Sequence, residues 1–85
     1  PLGTEGDVVI LEVEVLPGVE ATTAPLKTLK LPEGCLVVAL MRDNFARVPG
    51  AEDQLRPGDT VLILVQVDSE DATLALFGDE GSIED

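Results

Sequence analysis

Two arginines close to the dipeptide Asp43-Asn44 are the residues of this chain best suited to bind an anion. Asp and Asn tolerate the positive φ that a two-residue β-hairpin loop requires, so this dipeptide predicts a tight hairpin. Across such a hairpin Arg42 faces Phe45, and Arg47 lies diagonally on the same face, within about 8 Å. Two guanidinium groups in this arrangement can bind a phosphate group through charge-assisted hydrogen bonds.

The residues after the hairpin leave two interpretations of the arginines open. Apolar Val48 and Pro49 follow Arg47 and would offer a surface on which a nucleotide base can pack. Alternatively, the arginines offset neighbouring carboxylates on a solvated face of a chain whose net charge is -12. The residue types alone favour the second interpretation.

Most catalytic chemistry is excluded by what the chain lacks. It contains no histidine, so Ser-His-Asp and Cys-His arrangements cannot form. Cys35 lies in an apolar run, where burial raises a thiol pKa, so we expect it to be a core residue. No Gly-rich phosphate loop follows a strand. We therefore predict a protein that is not an enzyme and has no catalytic residues and no cofactor of its own.

A metal site is also not predicted. Asp68, Glu70 and Asp71 lie close together in sequence, but they lack the alternate spacing and central glycine of a calcium-binding loop. Acidic side chains are favoured at a helix N-terminus by the helix dipole, which accounts for them more simply.

Length, charge and hydropathy limit the class of protein. A chain of 85 residues holds one small domain, with 45% hydrophobic residues but only 2% aromatic ones, so its core must be aliphatic. The net charge of -12 opposes binding to nucleic acid or to an anionic membrane surface. No apolar run approaches the roughly 20 residues that span a bilayer, and no signal peptide is recognisable. We expect a cytoplasmic protein that does not insert into the membrane.

Hydrophobic periodicity predicts strands at both ends of the chain and in its middle. Alternation from Val8 to Val15 places Val9, Leu11, Val13 and Val15 on one face of a strand. The runs Cys35–Met41 and Thr60–Val67 show no polar face, so we expect both faces to be covered. Under that expectation the core includes Val37, Val38, Leu62 and Leu64.

Two short helices complete the predicted fold. Thr23 can cap the first, which carries Pro25 in its first turn and Leu26 and Leu29 on one face. Asp68 or Ser69 can cap the second, which ends at Gly78. The order predicts an α+β fold, a small and mostly antiparallel sheet with a central hairpin, flanked by the helices on one side.

Three segments divide the chain. Residues 1–7 are expected to be an N-terminal extension, whose first three residues match the scar of a cleaved expression tag. Residues 8–78 form the domain. Residues 79–85 are expected to be an acidic disordered tail.

As a whole, the chain resembles the C-terminal domain of the regulators of potassium conductance, also called the TrkA-C domain. The resemblance covers about Val8 to Gly78 and rests on motifs in a fixed order. These are Glu12-Val13-Glu14-Val15 with Pro17-Gly18, Leu26 and Leu29 before Leu31-Pro32-Glu33-Gly34, Val37-Val38-Ala39-Leu40 with Arg42-Asp43, Val48-Pro49, and Leu55-Arg56-Pro57-Gly58-Asp59 before Val61-Leu62-Ile63-Leu64.

The resemblance implies a regulatory domain of a bacterial potassium or other cation transport protein. Family members look like homodimers that follow a Rossmann-type domain or a transporter's membrane subunit, which would place this chain at the cytoplasmic face of the inner membrane. Some bind cyclic di-AMP at the dimer interface. The matching residues here are Met41, Arg42, Ala46, Arg47, Val48 and Pro49.

Two positions depart from the family pattern. Thr23 replaces a glycine that usually precedes the first helix, and Ala46 replaces a polar side chain that assists some binders. A structural homodimerisation module with no ligand therefore remains the alternative.

Overall fold

A four-stranded antiparallel sheet forms the frame of the computed structural model, which describes residues 7 to 78. The strands are β1 (Val8–Glu14), β2 (Cys35–Arg42), β3 (Phe45–Arg47) and β4 (Thr60–Gln66), in the spatial order β1-β4-β2-β3. One α-helix, α1 (Glu70–Phe77), and two 3-10 turns, Glu20–Thr22 and Val67–Ser69, complete the described chain. The predicted α+β class is confirmed. The predicted tail and nearly all of the predicted N-terminal extension lie outside the described residues.

The core lies on one face of this sheet. In β1, Val13 is fully buried and Val9 and Leu11 pack against the core, as the alternation predicts. Val13 pairs with Val61 of β4, and Leu11 pairs with Ile63, so the apolar positions of neighbouring strands meet on the same side. Because cross-strand pairs share a face, this register gathers the β-branched side chains into one layer.

A β-bulge explains why β2 lacks alternation. Val37 pairs with Ile63 and Ala39 pairs with Leu62, so Val38 is an extra residue in the ladder. The insertion shifts the side-chain period by one. As a result Val37 and Leu40, three residues apart, are both buried in the core.

The predicted hairpin is present between β2 and β3. Asp43 and Asn44 have φ values of 53° and 68°, which are the positive angles of a type I′ turn. Arg42 pairs with Phe45, as predicted, and β3 ends at Arg47.

Helix α1 covers the core face. Leu74 and Phe77 are buried, and Gly78 ends the helix with φ 87° while its N–H donates to Leu74 O at 2.8 Å. The end of the helix is confirmed. Ser69 occupies the N-cap position, as one of the two predicted residues, but its hydroxyl accepts no hydrogen bond from the helix and donates to Glu33 O at 2.7 Å.

The predicted first helix is absent from the described structure. The segment forms a three-residue 3-10 turn before Thr23, followed by a hydrogen-bonded turn from Pro25 to Leu29. Leu26 N donates to Asp53 O at 2.8 Å and Lys27 N to Ala51 O at 3.0 Å. These bonds fasten the segment to the loop before β4, and tertiary pairing of this kind outweighs a weak local helix propensity.

The prediction that both faces of β2 and β4 are covered is likewise wrong within one chain. Val37 is buried and Val38 and Leu62 are half-buried, but Leu36 is 59% exposed and Leu64 is 37% exposed. The helix and the loops cover one face of the sheet, and Ile10, Leu64 and Leu36 form a directly paired apolar row across the other. This second surface is called the open face below.

The left-handed loop yields a stability prediction. Asn44→Val places a β-branched residue at φ 68° and should reduce the free energy of unfolding by about 1 to 2 kcal/mol. Asn44→Gly, which tolerates this angle, should retain or slightly increase stability. Urea unfolding of both variants measures the difference. Equal midpoints for the two would contradict the type I′ assignment.

Candidate functional site

The hairpin distributes the predicted site residues over both faces of the sheet. Leu40 pairs with Arg47 and Arg42 pairs with Phe45, so the two arginines share a face, as expected. Met41 pairs with Ala46 on the opposite, open face. Since successive side chains of a strand point to opposite sides, these two residues cannot join the arginines around one small group bound within a single chain.

The remaining predicted site residues follow β3. Val48 is well exposed and Pro49 is half-buried. Pro49 lines a shallow apolar cleft of about 240 Å³ together with Leu26, Leu31 and Val37.

Arg42 is held by a buried carboxylate. Its Nε donates to Asp59 Oδ1 at 2.9 Å and its Nη2 to Asp59 Oδ2 at 2.8 Å, a bidentate pair. Nη2 also donates to Gln54 O at 3.1 Å. The Arg42 side chain is only 22% exposed, so this guanidinium belongs to the framework of the domain.

Asp59 is stabilised in its charged form although it is buried. Burial alone raises a carboxyl pKa, but hydrogen bonds from Arg42 and from the Arg56 N–H at 2.8 Å more than offset it, so the pKa of Asp59 lies below its ordinary value. The charge is therefore retained at neutral pH.

Arg47 has a similar partner at the surface. Its Nη2 donates to Asp53 Oδ1 at 2.7 Å and its Nη1 to Asp53 Oδ2 at 2.9 Å. The Gly50 N–H donates to the same Oδ2 at 2.6 Å. These donors hold the pKa of Asp53 well below its usual range. The Arg47 side chain is 50% exposed, so solvent and ligands can reach it.

Of the two hairpin arginines, Arg47 therefore has the exposure that ligand exchange requires, and Arg42 does not. Phe45, two residues before Arg47 on the same face of β3, is 78% exposed. An aromatic ring beside an accessible guanidinium can stack a base while the arginine binds a phosphate. The arrangement supports anion binding at Arg47, with Phe45 as a neighbour that our sequence analysis did not select.

The carboxylates that pair with the arginines were also missed. Asp53 and Asp59 lie between β3 and β4, where no site residue was predicted. Both are three residues after a residue whose backbone N–H binds their side chain, Gly50 and Arg56 respectively. This spacing is typical of side chains that close turns. It predicts the turns, whereas the pairing with particular arginines depends on the path of the loop.

Other candidate groups are less suited to chemistry. Burial raises the pKa of the Cys35 thiol, outweighing a hydrogen bond with Thr73 that lowers it, and the residue packs against the core. Between residues 7 and 78, no three Cys, Asp or Glu side chains come together as metal ligands would. Within the same range, no helix is long and apolar enough to cross a bilayer.

The Arg42–Asp59 pair yields a prediction with a defined pH dependence. Asp59→Asn should reduce the free energy of unfolding at pH 7 by about 2 to 3 kcal/mol, because it leaves a mostly buried guanidinium without a counter-charge. The Asp59 pKa is lower in the folded state than the roughly 3.9 of an unfolded Asp. The contribution is thus fully present above about pH 5 and is lost as the pH falls through the folded pKa.

Urea unfolding of parent and variant between pH 7 and pH 3 measures this effect. The difference between the two proteins should narrow below about pH 4. Glu52→Gln, which removes a charge from an exposed pair with Lys27, is the control and should change stability little at any pH. A difference that stays constant down to pH 3 would contradict the role of the Asp59 charge.

Comparison with known proteins agrees with this fold. Residues 10–78 match the family model of the TrkA-C domain. A Trk system potassium uptake protein TrkA homolog from Archaeoglobus fulgidus is 26% identical over 73 residues, which are 86% of this chain and 17% of that protein. A solved RCK domain with cda superposes with a TM-score of 0.67 at 21% identity, covering 82% of this chain and 94% of the other. The chain belongs to the TrkA-C domain family.

Proposed function

We propose that this chain is a regulatory ligand-binding and dimerisation domain of a bacterial potassium or other cation transport protein. Its family and its similarity to a TrkA homolog support this role. The chain spans 17% of that relative, so the proposed parent contributes further parts, a Rossmann-type domain or a transporter membrane subunit. The domain would act in the cytoplasm, at the inner face of the membrane.

The proposed ligand is cyclic di-AMP, and the accessibility of Arg47 is the observation that carries this proposal. A surface ion pair has a small net free energy, so a ligand phosphate can replace Asp53 at the Arg47 guanidinium at low cost. The exposed ring of Phe45 lies where it can stack an adenine base. The solved RCK domain with cda has the same fold.

A homodimer supplies the symmetry that this ligand requires. Cyclic di-AMP has two equivalent halves, so a two-fold interface can offer the same groups to each. The open face, with its row of Ile10, Leu64 and Leu36, provides apolar surface for a second copy. Met41 and Ala46 lie on this face and would be next to the partner. Arg47 and Phe45 lie on the other face of β3, which is an edge strand, so a ligand shared by both protomers would have to reach around this edge.

Regulation follows from differential affinity. A ligand that binds one arrangement of the two protomers more tightly shifts the population toward it, by no more than that difference in affinity. The parent protein would pass this shift to its pore or exchanger.

The alternative is a structural dimerisation module without a ligand. The observation that favours it is that both guanidinium groups already form bidentate pairs with carboxylates of their own chain. Ligand titration distinguishes the two functions.

Ligand binding is tested by calorimetric titration with cyclic di-AMP. Arg47→Ala should weaken binding about tenfold or more, because a charge-assisted hydrogen bond contributes about 1.5 to 3 kcal/mol. Arg56→Ala, which removes another exposed arginine, is the matched control and should bind as the parent does. Unchanged binding by Arg47→Ala would move the site away from the hairpin. A folded, dimeric parent that does not bind would exclude cyclic di-AMP and favour the structural alternative.

Dimerisation is tested by analytical ultracentrifugation. We expect a parent dimer that strengthens with moderate salt, since the net charge of -12 per chain is then screened. Leu36→Ser on the open face should increase the dissociation constant about tenfold. Val67→Ser, at a comparably exposed valine in the 3-10 turn that follows β4, is the control. A parent that remains monomeric at high concentration would exclude the dimer.

A further inference from the structure

The donors around Asp53 form an anion-binding cradle. Two N–H groups of Arg47 and the backbone N–H of Gly50 point at one carboxylate, at distances of 2.6 to 2.9 Å. Guanidinium forks and backbone N–H groups are the donors that proteins use for phosphate oxygens. The Asp53 carboxylate thus occupies the position that a phosphate group of a ligand would take.

The backbone around the cradle is held independently of this carboxylate. Asp53 N donates to Gly50 O at 3.1 Å, and Asp53 O accepts from Leu26 N at 2.8 Å. The side chain can therefore rotate away from Arg47 while the turn keeps its shape. Asp59, in contrast, is only 2% exposed and is held by both Arg42 and the Arg56 N–H.

We propose that Asp53 is an internal competitor that occupies the Arg47–Gly50 cradle and is displaced by a phosphodiester group of the ligand. The identity of the ligand rests on the proposed function above. When the ligand binds, the cradle exchanges one anion for another and Asp53 moves into water. Its charge remains close by and repels the ligand, so Asp53 lowers the affinity and sets the concentration at which the domain responds. It is a positioning residue for Arg47.

The experiment compares Asp53→Asn with the parent. The amide can still accept a hydrogen bond from Gly50, but it neither neutralises Arg47 nor repels a phosphate. We expect cyclic di-AMP to bind about three- to tenfold more tightly. Glu52→Gln is the matched control, because it removes one negative charge from the adjacent residue, which pairs with Lys27 instead. This variant should change the affinity less than twofold.

Two further measurements separate the cradle from its ligand. In the double variant Asp53→Asn with Arg47→Ala, the gain in affinity should disappear, because it acts through Arg47. Independently of any ligand, modification of Arg47 by phenylglyoxal, followed by peptide mass spectrometry, should be several times faster in Asp53→Asn than in the parent or Glu52→Gln.

Each outcome decides one of the two proposals. If the parent binds through Arg47 but Asp53→Asn binds no more tightly than Glu52→Gln, the competitor role is excluded and the proposed function stands. If none of the proteins binds cyclic di-AMP, that ligand is excluded, and the Arg47 modification rates alone decide on the competitor. Equal rates in all variants would overturn it.

Discussion

The buried carboxylate of Asp59 joins the segments on which the rest of the structure depends. Asp59 directly precedes β4, and its carboxylate pairs with Arg42 at the end of β2 and accepts the Arg56 N–H of the preceding turn. Its backbone carbonyl accepts from Val15 N at 2.8 Å, which ties the end of β1 to the same point. A buried charge is stable only when it is paired and hydrogen-bonded. The segments must therefore meet where Arg42 and the Arg56 N–H can both reach the Asp59 carboxylate.

The core is confined to one side of the sheet. The bulge at Val38 lets β2 bury both Val37 and Leu40 beneath α1 and the loops, and it leaves apolar side chains on the opposite face. A domain this small buries a limited fraction of its surface, so association offers a way to cover the remainder. The open face and the acidic surface have opposing effects on association, hydrophobic contact favouring it and charge opposing it.

Arg42 and Arg47 lie on the same face of the sheet, but they differ in role because their carboxylate partners differ in burial. Arg42 meets a carboxylate inside the domain and becomes part of the framework, whereas Arg47 meets one at the surface and stays available. This division would combine a stable fold and the proposed anion site on one hairpin. The register between β2 and the short β3 sets the diagonal spacing of the two arginines.

Local patterns determined the strands, the Asp43-Asn44 hairpin and the end of α1 at Gly78, because each depends on neighbouring residues. The order of motifs along the chain determined the family. Tertiary structure decided the rest. The predicted helix after Thr23 is replaced by turns bonded to a loop more than 20 residues away, and an apolar run cannot show which of its faces will be covered. Arginine partners are equally non-local. The 50–59 loop selects Asp53 and Asp59 among 17 acidic residues, and no spacing in the sequence encodes that choice.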